Sequence, residues 1–116
     1  MMQTKRLLGI VVGSNEQEFH RKSFEEGEVV AKMIEEFGKF DTCLIEIGKG
    51  PWLLHREGDK ASLDKEKFTA VVKKKRVKPD AVLILTKGKL GENGELQTFF
   101  NKLGIPFTFS GVEETK

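Results

Sequence analysis

Leu7 to Val12 form an apolar run closed by Gly13-Ser14-Asn15. A strand that is apolar on both sides of its pleat has to be covered on both faces. That requirement calls for neighbouring strands in a sheet and for layers packed above and below it. The strand is expected over residues 5–12. The pattern then changes period. Between residues 18 and 37, Phe19, Ser23, Gly27, Val30, Ile34 and Phe37 recur every three or four positions, while Glu25, Glu26, Glu28 and Lys32 face away. Ser14 or Asn15 can cap this helix, and Ser14-x-x-Gln17 fits a capping box. Gly27 on the inner face lowers helix propensity but lets the backbone approach the sheet. Gly38 supplies the stop.

Further along, residues 42–47 predict a second strand, 48–51 a turn and 52–55 a short antiparallel strand. Residues 56–62 read as a polar connection. Residues 63–75 predict a second helix with Phe68, Val71 and Val72 inward. Pro79-Asp80 introduces a third core strand over residues 81–86. A third helix is expected over residues 94–103, with Leu96, Phe99, Phe100 and Leu103 on its apolar side. Gly104 ends it, and residues 105–109 make a last short strand. Strand alternating with helix predicts an α/β fold. Its mainly parallel, open, Rossmann-like sheet would carry right-handed crossovers and helices on both faces.

With 116 residues the chain forms one domain. A third of its residues are charged, yet the net charge is only +2. That balance demands neither nucleic acid nor an anionic membrane as partner. The one local excess, Lys73-Lys74-Lys75-Arg76-Val77-Lys78, suits a helix end, where cations favour the negative pole of the macrodipole. No aromatic residues interleave it as a nucleic-acid surface would require. Cys43 is the sole cysteine, which rules out an internal disulfide framework and leaves it a small core residue. No stretch approaches the ~20 apolar residues that span a bilayer, and the first twelve residues are too short for a convincing signal peptide. The expected location is cytoplasmic. Residues 111–116 are too charged to close a domain and read as the lead into a further segment.

In open α/β sheets, ligands sit beyond the carboxyl ends of the strands. Two loops meet that description, residues 13–19 and 86–94. Gly91 and Gly94 can take positive φ there and let the backbone approach a ligand. Neither loop carries the Gly-x-Gly-x-x-Gly fingerprint or a Walker-type Gly-Lys-Ser/Thr. Glu16 stands at the expected helix start. A carboxylate there gains from the macrodipole, and it could equally receive an ammonium group or orient a hydroxyl. His20 and His55, the only histidines, fit solvated or capping roles, and no metal-ligand spacing joins them to a carboxylate.

Several segments, taken in order, match one family. Leu90-Gly91-Glu92-Asn93-Gly94-Glu95-Leu96-Gln97 is similar to a Gly-Glu-Asp-Gly-x-x-Gln segment, and Gly104-Ile105-Pro106-Phe107-Thr108-Phe109-Ser110-Gly111 to Gly-Ile-Pro-Tyr-Thr-Gly-Ser-Gly. Val11-Val12-Gly13-Ser14-Asn15-Glu16, running on to Ser23, resembles Gly-Gly-x-Ser-x-Glu-x-x-Val-Ser-x-x-Ser. Residues 45–54, with Trp52, resemble a strand–turn–Trp segment. These are marks of the D-alanine–D-alanine ligases, and the resemblance covers almost the whole chain but only the N-terminal third of such an enzyme. The departures are Val11-Val12 for the glycine pair, which is expected to narrow access around the loop, His20 for a serine, and Lys87-Gly88 for His-Gly.

The resemblance implies an N-terminal, substrate-side domain of an ATP-dependent carboxylate–amine ligase in peptidoglycan precursor synthesis. Glu16 would place the first D-alanine and serve catalysis, Phe19 would lie beside that substrate, and Lys87 would offer a cation to it. ATP and magnesium would belong to ATP-grasp domains that these 116 residues do not include, leaving no cofactor or metal residue here. Pairing through such domains, with aromatic surface from Phe99, Phe100 and Phe109, would give a homodimer. Apart from the resemblance, the same residues also suit a stand-alone flavodoxin-like module that binds a small ligand or a protein without catalysis.

Overall fold

The computed structural model describes residues 6–14, 16–48, 50–86 and 95–109. Strand β1 (Arg6–Gly13) lies inside a six-stranded sheet. It pairs in parallel with β2 (Phe40–Ile47) on one side and with β7 (Ala81–Ile84) on the other. Strand β8 (Phe107–Phe109) continues the parallel set beyond β7. On the opposite edge, β3 (Leu53–Arg56) and β4 (Asp59–Ser62) add an antiparallel hairpin next to β2. The full order is β4-β3-β2-β1-β7-β8. Two short strands, β5 (Ala70–Val72) and β6 (Lys75–Val77), form a separate hairpin. The helices are α1 (Gln17–Phe37) and α2 (Glu95–Leu103).

Full burial of Ile10, Val11 and Val12 satisfies the demand made by the apolar run. Ile10, Val12, Leu44 and Leu85 meet Phe24, Val30, Ala31 and Ile34 of α1. Val11, Ile45, Ile47, Val82 and Ile84 join the opposite core, closed by Leu96 and Phe100 of α2 and by Phe68, Ala70, Val72 and Val77. The sheet is therefore covered on both faces, as expected. Val11 and Val12 point into different cores rather than toward the loop that follows.

Helix α1 comes close to the sheet because of Gly27. A Cβ added there would lie 2.4 Å from Val12 Cγ1 and 3.2 Å from Leu44 Cδ2. The helix ends at Gly38, whose φ of 78° and N–H bond to the Glu35 carbonyl form a left-handed cap. Its start differs from the capping box. Glu16 is the N-cap residue, and Ser14 lies two positions before it. Of the expected inner face, Ser23, Gly27, Val30 and Ile34 do turn inward, joined by Phe24 and Ala31, but its two end residues do not. Phe37 is 80% exposed and Phe19 37%, and Val29 and Met33 lie exposed along α1 with Phe37.

Residues 63–78 depart most from the sequence reading. No helix forms there. Asp64 and Thr69 bridge to each other, Phe68 has a positive φ of 55°, and Lys73 and Lys74 turn the β5–β6 hairpin at φ of 53° and 70°. Burial alternates through Ala70, Val71 and Val72, a period of two that suits β-branched residues. The basic run is thus a hairpin turn and a strand, and the macrodipole does not account for it. Residues 56–62, read as a plain connection, form a second hairpin turned at Glu57 and Gly58, both at positive φ.

Phe99 and Phe100 are consumed by the core. Phe100 is fully buried and meets Phe68 and Phe99 edge to face at 5.3 and 5.2 Å, while Trp52 meets Phe99 at 5.1 Å. Phe100 thus offers no surface for dimerisation, Phe99 is half-buried against Trp52 and Phe100, and the Phe109 side chain lies outside the described residues. Among the described residues no helix is long and apolar enough to cross a membrane.

Two measurements check this packing. Gly27→Ala would gain about 1 kcal/mol of helix propensity, but crowding a stiff valine in a filled core costs about 1–3 kcal/mol. The variant should unfold at a lower temperature, and a raised midpoint would contradict the close approach of α1. Burial pushes the Cys43 thiol up to about 12, opposed only by the charge of Arg56. A thiol reagent should therefore leave Cys43 unmodified in the folded chain and label it once denaturant is added.

Candidate functional site

The carboxyl ends of β1 and β7 lie side by side. Val11 pairs with Ile84, and the Leu85 N–H donates to the Val11 carbonyl at 2.8 Å. Ser23, buried inside α1, joins them across the end of the sheet. Its hydroxyl accepts the Gly13 N–H at 2.9 Å and donates to the Leu85 carbonyl at 2.8 Å. Gly13 permits this crossing. Its φ is 132°, and a Cβ there would sit 1.9 Å from the Ile47 carbonyl oxygen. The segments on which both expected ligand loops are built therefore leave the sheet at one edge.

Glu16 stands on that edge. Its backbone is extended, at φ −104° and ψ 128°, and its carbonyl accepts the His20 N–H at 2.8 Å to open the helix. Its N–H donates to Ser14 Oγ at 3.1 Å. The Glu16 carboxylate makes no capping bond and is exposed. Helix capping therefore does not occupy it. Phe19 lies three residues on, in the first turn of α1. Lys87, the third expected substrate contact, lies outside the described residues, as do the glycine loop 91–94 and Ser110-Gly111. Glu16 and Phe19 thus stand within one turn of each other at the start of α1. For the last part it describes only the approach through Leu85 and Thr86. Thr86 Oγ1, at that edge, and Gln97 Oε1, near the start of α2, are buried without a hydrogen-bond partner.

The sequence reading missed a cluster beside Glu16. His20, on α1, places Nε2 2.8 Å from Glu46 Oε2. His55, on β3, places Nε2 2.8 Å from Glu46 Oε1. The register explains the second contact. Glu46 lies opposite Leu53, and His55 lies opposite Leu44, so Glu46 and His55 are diagonal neighbours on one face. Phe24 of α1 packs against the His55 ring at 5.1 Å, edge to face. The other nitrogen of His20, Nδ1, lies 3.1 Å from the Ser14 N and 3.3 Å from the Ser14 carbonyl oxygen. A groove between α1 and the β3–β4 hairpin runs past Phe24, His55 and Arg56, but neither Glu16 nor Phe19 lines it. Among the described residues no group of His, Cys, Asp and Glu is arranged to hold a metal ion.

Comparison with known proteins places this edge in context. The chain is 28% identical to the D-alanine–D-alanine ligase of Bacteroides thetaiotaomicron over 109 residues, covering 93% of the chain and 33% of the relative. It is 30% identical to that of Christiangramia forsetii over 105 residues, 90% of the chain and 32% of the relative. The chain resembles the N-terminal part of the D-alanine–D-alanine ligases. It spans about a third of the length of the curated relatives it matches. Its fold follows the crystal structure of D-alanyl-alanine synthetase A from Vibrio cholerae, with a TM-score of 0.74 and 24% identity over 92% of this chain and 32% of that one. No family model matches.

Glu46 gives the cluster a measurable signature. Burial alone pushes its carboxyl up, but hydrogen bonds from His20 and His55, and the charge of those rings when protonated, outweigh burial and hold it below the usual carboxylate range. A carboxyl held lower in the folded chain adds stability above the ordinary glutamate value, roughly 4.3. That contribution disappears as pH falls through the lowered value. Glu46→Gln should therefore cost about 1–2 kcal/mol at about pH 6.5, allowing for its partial exposure. The cost should shrink toward about pH 3. Urea unfolding at both pH values measures it, and an equal cost at each would refute this account.

Proposed function

We propose that this chain is the substrate-side, N-terminal part of an ATP-dependent D-alanine–D-alanine ligase or a close relative acting in peptidoglycan precursor synthesis in the cytoplasm. One observation carries the reading. Within a fold and sequence similar to those ligases over more than nine-tenths of the chain, Glu16 stands uncapped and exposed at the carboxyl edge of the parallel sheet. The resemblance gives the matching glutamate the task of placing the first D-alanine. An exposed carboxylate with no capping bond can take up an ammonium group directly, and Phe19 offers an apolar wall beside it. Lys87 would set a permanent cation where the family has histidine, favouring a substrate carboxylate.

The ATP and magnesium of such a ligase are proposed to bind elsewhere than in this chain. Its described residues offer no ligand cluster for a metal, and its sequence carries no phosphate loop. We assign both to ATP-grasp domains joined to this one, where ATP would activate a carboxylate as an acyl phosphate. The residues here would contribute binding and orientation, which lower a barrier by fixing the reacting groups in place. Pairing of two such domains into a homodimer is part of the same proposal. The exposed Val29, Met33 and Phe37 on α1 offer more apolar surface for it than the buried Phe100 does.

The test is D-alanine-dependent release of ADP by a protein that joins this chain to its ATP-grasp domains. Glu16→Gln should lower kcat/KM for the first D-amino acid by about ten- to a hundred-fold, the equivalent of one charge-assisted hydrogen bond worth about 1.5–3 kcal/mol. Thermal stability should stay nearly unchanged. Lys87→His should shift preference toward D-alanine. Unchanged turnover in the Glu16 variant would remove the proposed role, and ADP release that ignores D-amino acids would overturn the ligase reading.

A further inference from the structure

Five residues run in series from β3 to the carboxyl edge of the sheet. His55 Nε2 and His20 Nε2 each lie 2.8 Å from a different oxygen of Glu46. His20 Nδ1 lies 3.1 Å from the Ser14 N, and Ser14 Oγ accepts the Glu16 N–H at 3.1 Å. Each link decides the next. A carboxylate oxygen at 2.8 Å requires a proton on His20 Nε2. Neutral imidazole then has an unprotonated Nδ1, which can only accept, and the donor beside it is the Ser14 N–H. Glu46 cannot swing away to release His20, because His55 holds its second oxygen. The His20 ring also fits closely over the next loop, since a Cβ added at Gly48 would lie 3.5 Å from His20 Cε1 and 3.5 Å from the Ser14 carbonyl oxygen.

We propose that His20 is a positioning residue. Held on Nε2 by Glu46, it receives the Ser14 N–H on Nδ1 and so fixes Ser14, whose Oγ in turn holds the backbone N–H of Glu16. This rests on the reading that Glu16 meets the substrate, but the tautomer and the turn can be examined without it. The chemistry of the arrangement is directional. Glu46 and His55 select the proton position on a ring of α1, and that ring converts the selection into the conformation of a β1–α1 loop. His20 itself makes no claim on the substrate. Serine, the residue the ligases carry at this position, is too short to span from Ser14 to Glu46. The brace is thus a property of this chain's own residues.

The experiment has a spectroscopic arm and a kinetic arm. In the 116-residue chain, long-range nitrogen–proton correlation at neutral pH should show His20 protonated on Nε2 alone. The Ser14 amide should exchange slowly with solvent. In His20→Ala that exchange should become at least tenfold faster, while amides of β2 and β3 keep their protection and show that the fold survives. His20→Asn places an amide oxygen close to where Nδ1 lies, and should restore most of the protection. Glu46→Gln should weaken the Nε2–H preference without removing either ring.

In the joined ligase, His20→Ala should raise KM for the first D-amino acid about tenfold, with kcat within about twofold and KM for ATP unchanged, and His20→Asn should recover most of the loss. Protonation of His20 on Nδ1 in the spectra, or Ser14 exchange indifferent to His20→Ala, would overturn the proposal. So would equal damage from the alanine and asparagine variants, or an unmoved KM in an active ligase. Absence of any ligase activity, with the spectra as expected, would instead overturn the functional reading and leave His20 as the brace of the turn.

Discussion

The Ser23 hydroxyl is the interaction on which the rest of this structure depends. It is fully buried at the middle of three elements, accepting from Gly13 at the end of β1 and donating to Leu85 beyond β7. A buried hydroxyl that donates and accepts satisfies two backbone groups that α1 would otherwise shut away from water, each costing about 1–3 kcal/mol if left unpaired. It also fixes α1 along its own axis. One turn later, Gly27 lets the helix settle against Val12 and Leu44. Polar registration at Ser23 and apolar contact at Gly27 together determine where the start of α1, and hence Glu16, stands relative to the sheet.

That edge explains why residues distant in sequence act together. Strands β1, β2 and β7 point the same way, so the residues following each of them reach one rim. Glu46 is the second-last residue of β2, and Ser14 follows β1 directly. His20 reaches both from the first turns of α1. On the far side, β3 begins opposite Glu46 and runs back antiparallel from the rim, so His55, opposite Leu44, reaches up to Glu46 diagonally from below. The rim is therefore polar and hydrogen-bonded, whereas the two faces beneath it are apolar. The opposite core, centred on Phe68, Phe99 and Phe100, stiffens the sheet through edge-to-face rings without reaching the rim residues Glu16, His20 or Glu46.

Much of this was legible in the sequence. The apolar run of β1, the 3.6-residue period and glycine stop of α1, the antiparallel strand after Trp52, and α2 all follow from patterns confined to short windows. The position of Glu16 at a helix start was legible as well. Residues 63–78 were not, because Phe68, Val71 and Val72 satisfy a helical spacing as readily as the alternating burial they adopt. What decides between them is backbone at positive φ in Phe68, Lys73 and Lys74, residues that carry no glycine-like signal. The packing of Phe68 beneath α2 settles the conformation, and that contact joins segments some thirty residues apart.

The histidine cluster was hidden for a related reason. Nothing in the spacing of His20, Glu46 and His55 suggests a site, since one contact needs the β2–β3 register and the other needs the rotation of α1 on the sheet. The expected inner face of α1 put Phe19 and Phe37 inward, and on that face His20 would have looked free. In the structure Phe24 and Ala31 join Ser23, Gly27, Val30 and Ile34 on the inner face, Phe19 and Phe37 fall at its exposed margin, and His20 lies over Gly48 and Ser14. The positions where this chain departs from the ligase pattern then separate by location. Val11 and Val12 lie in the two cores beneath the rim, whereas His20 lies at the rim itself. Divergence within the cores preserves the platform, and divergence at the rim alters how its carboxylate is held.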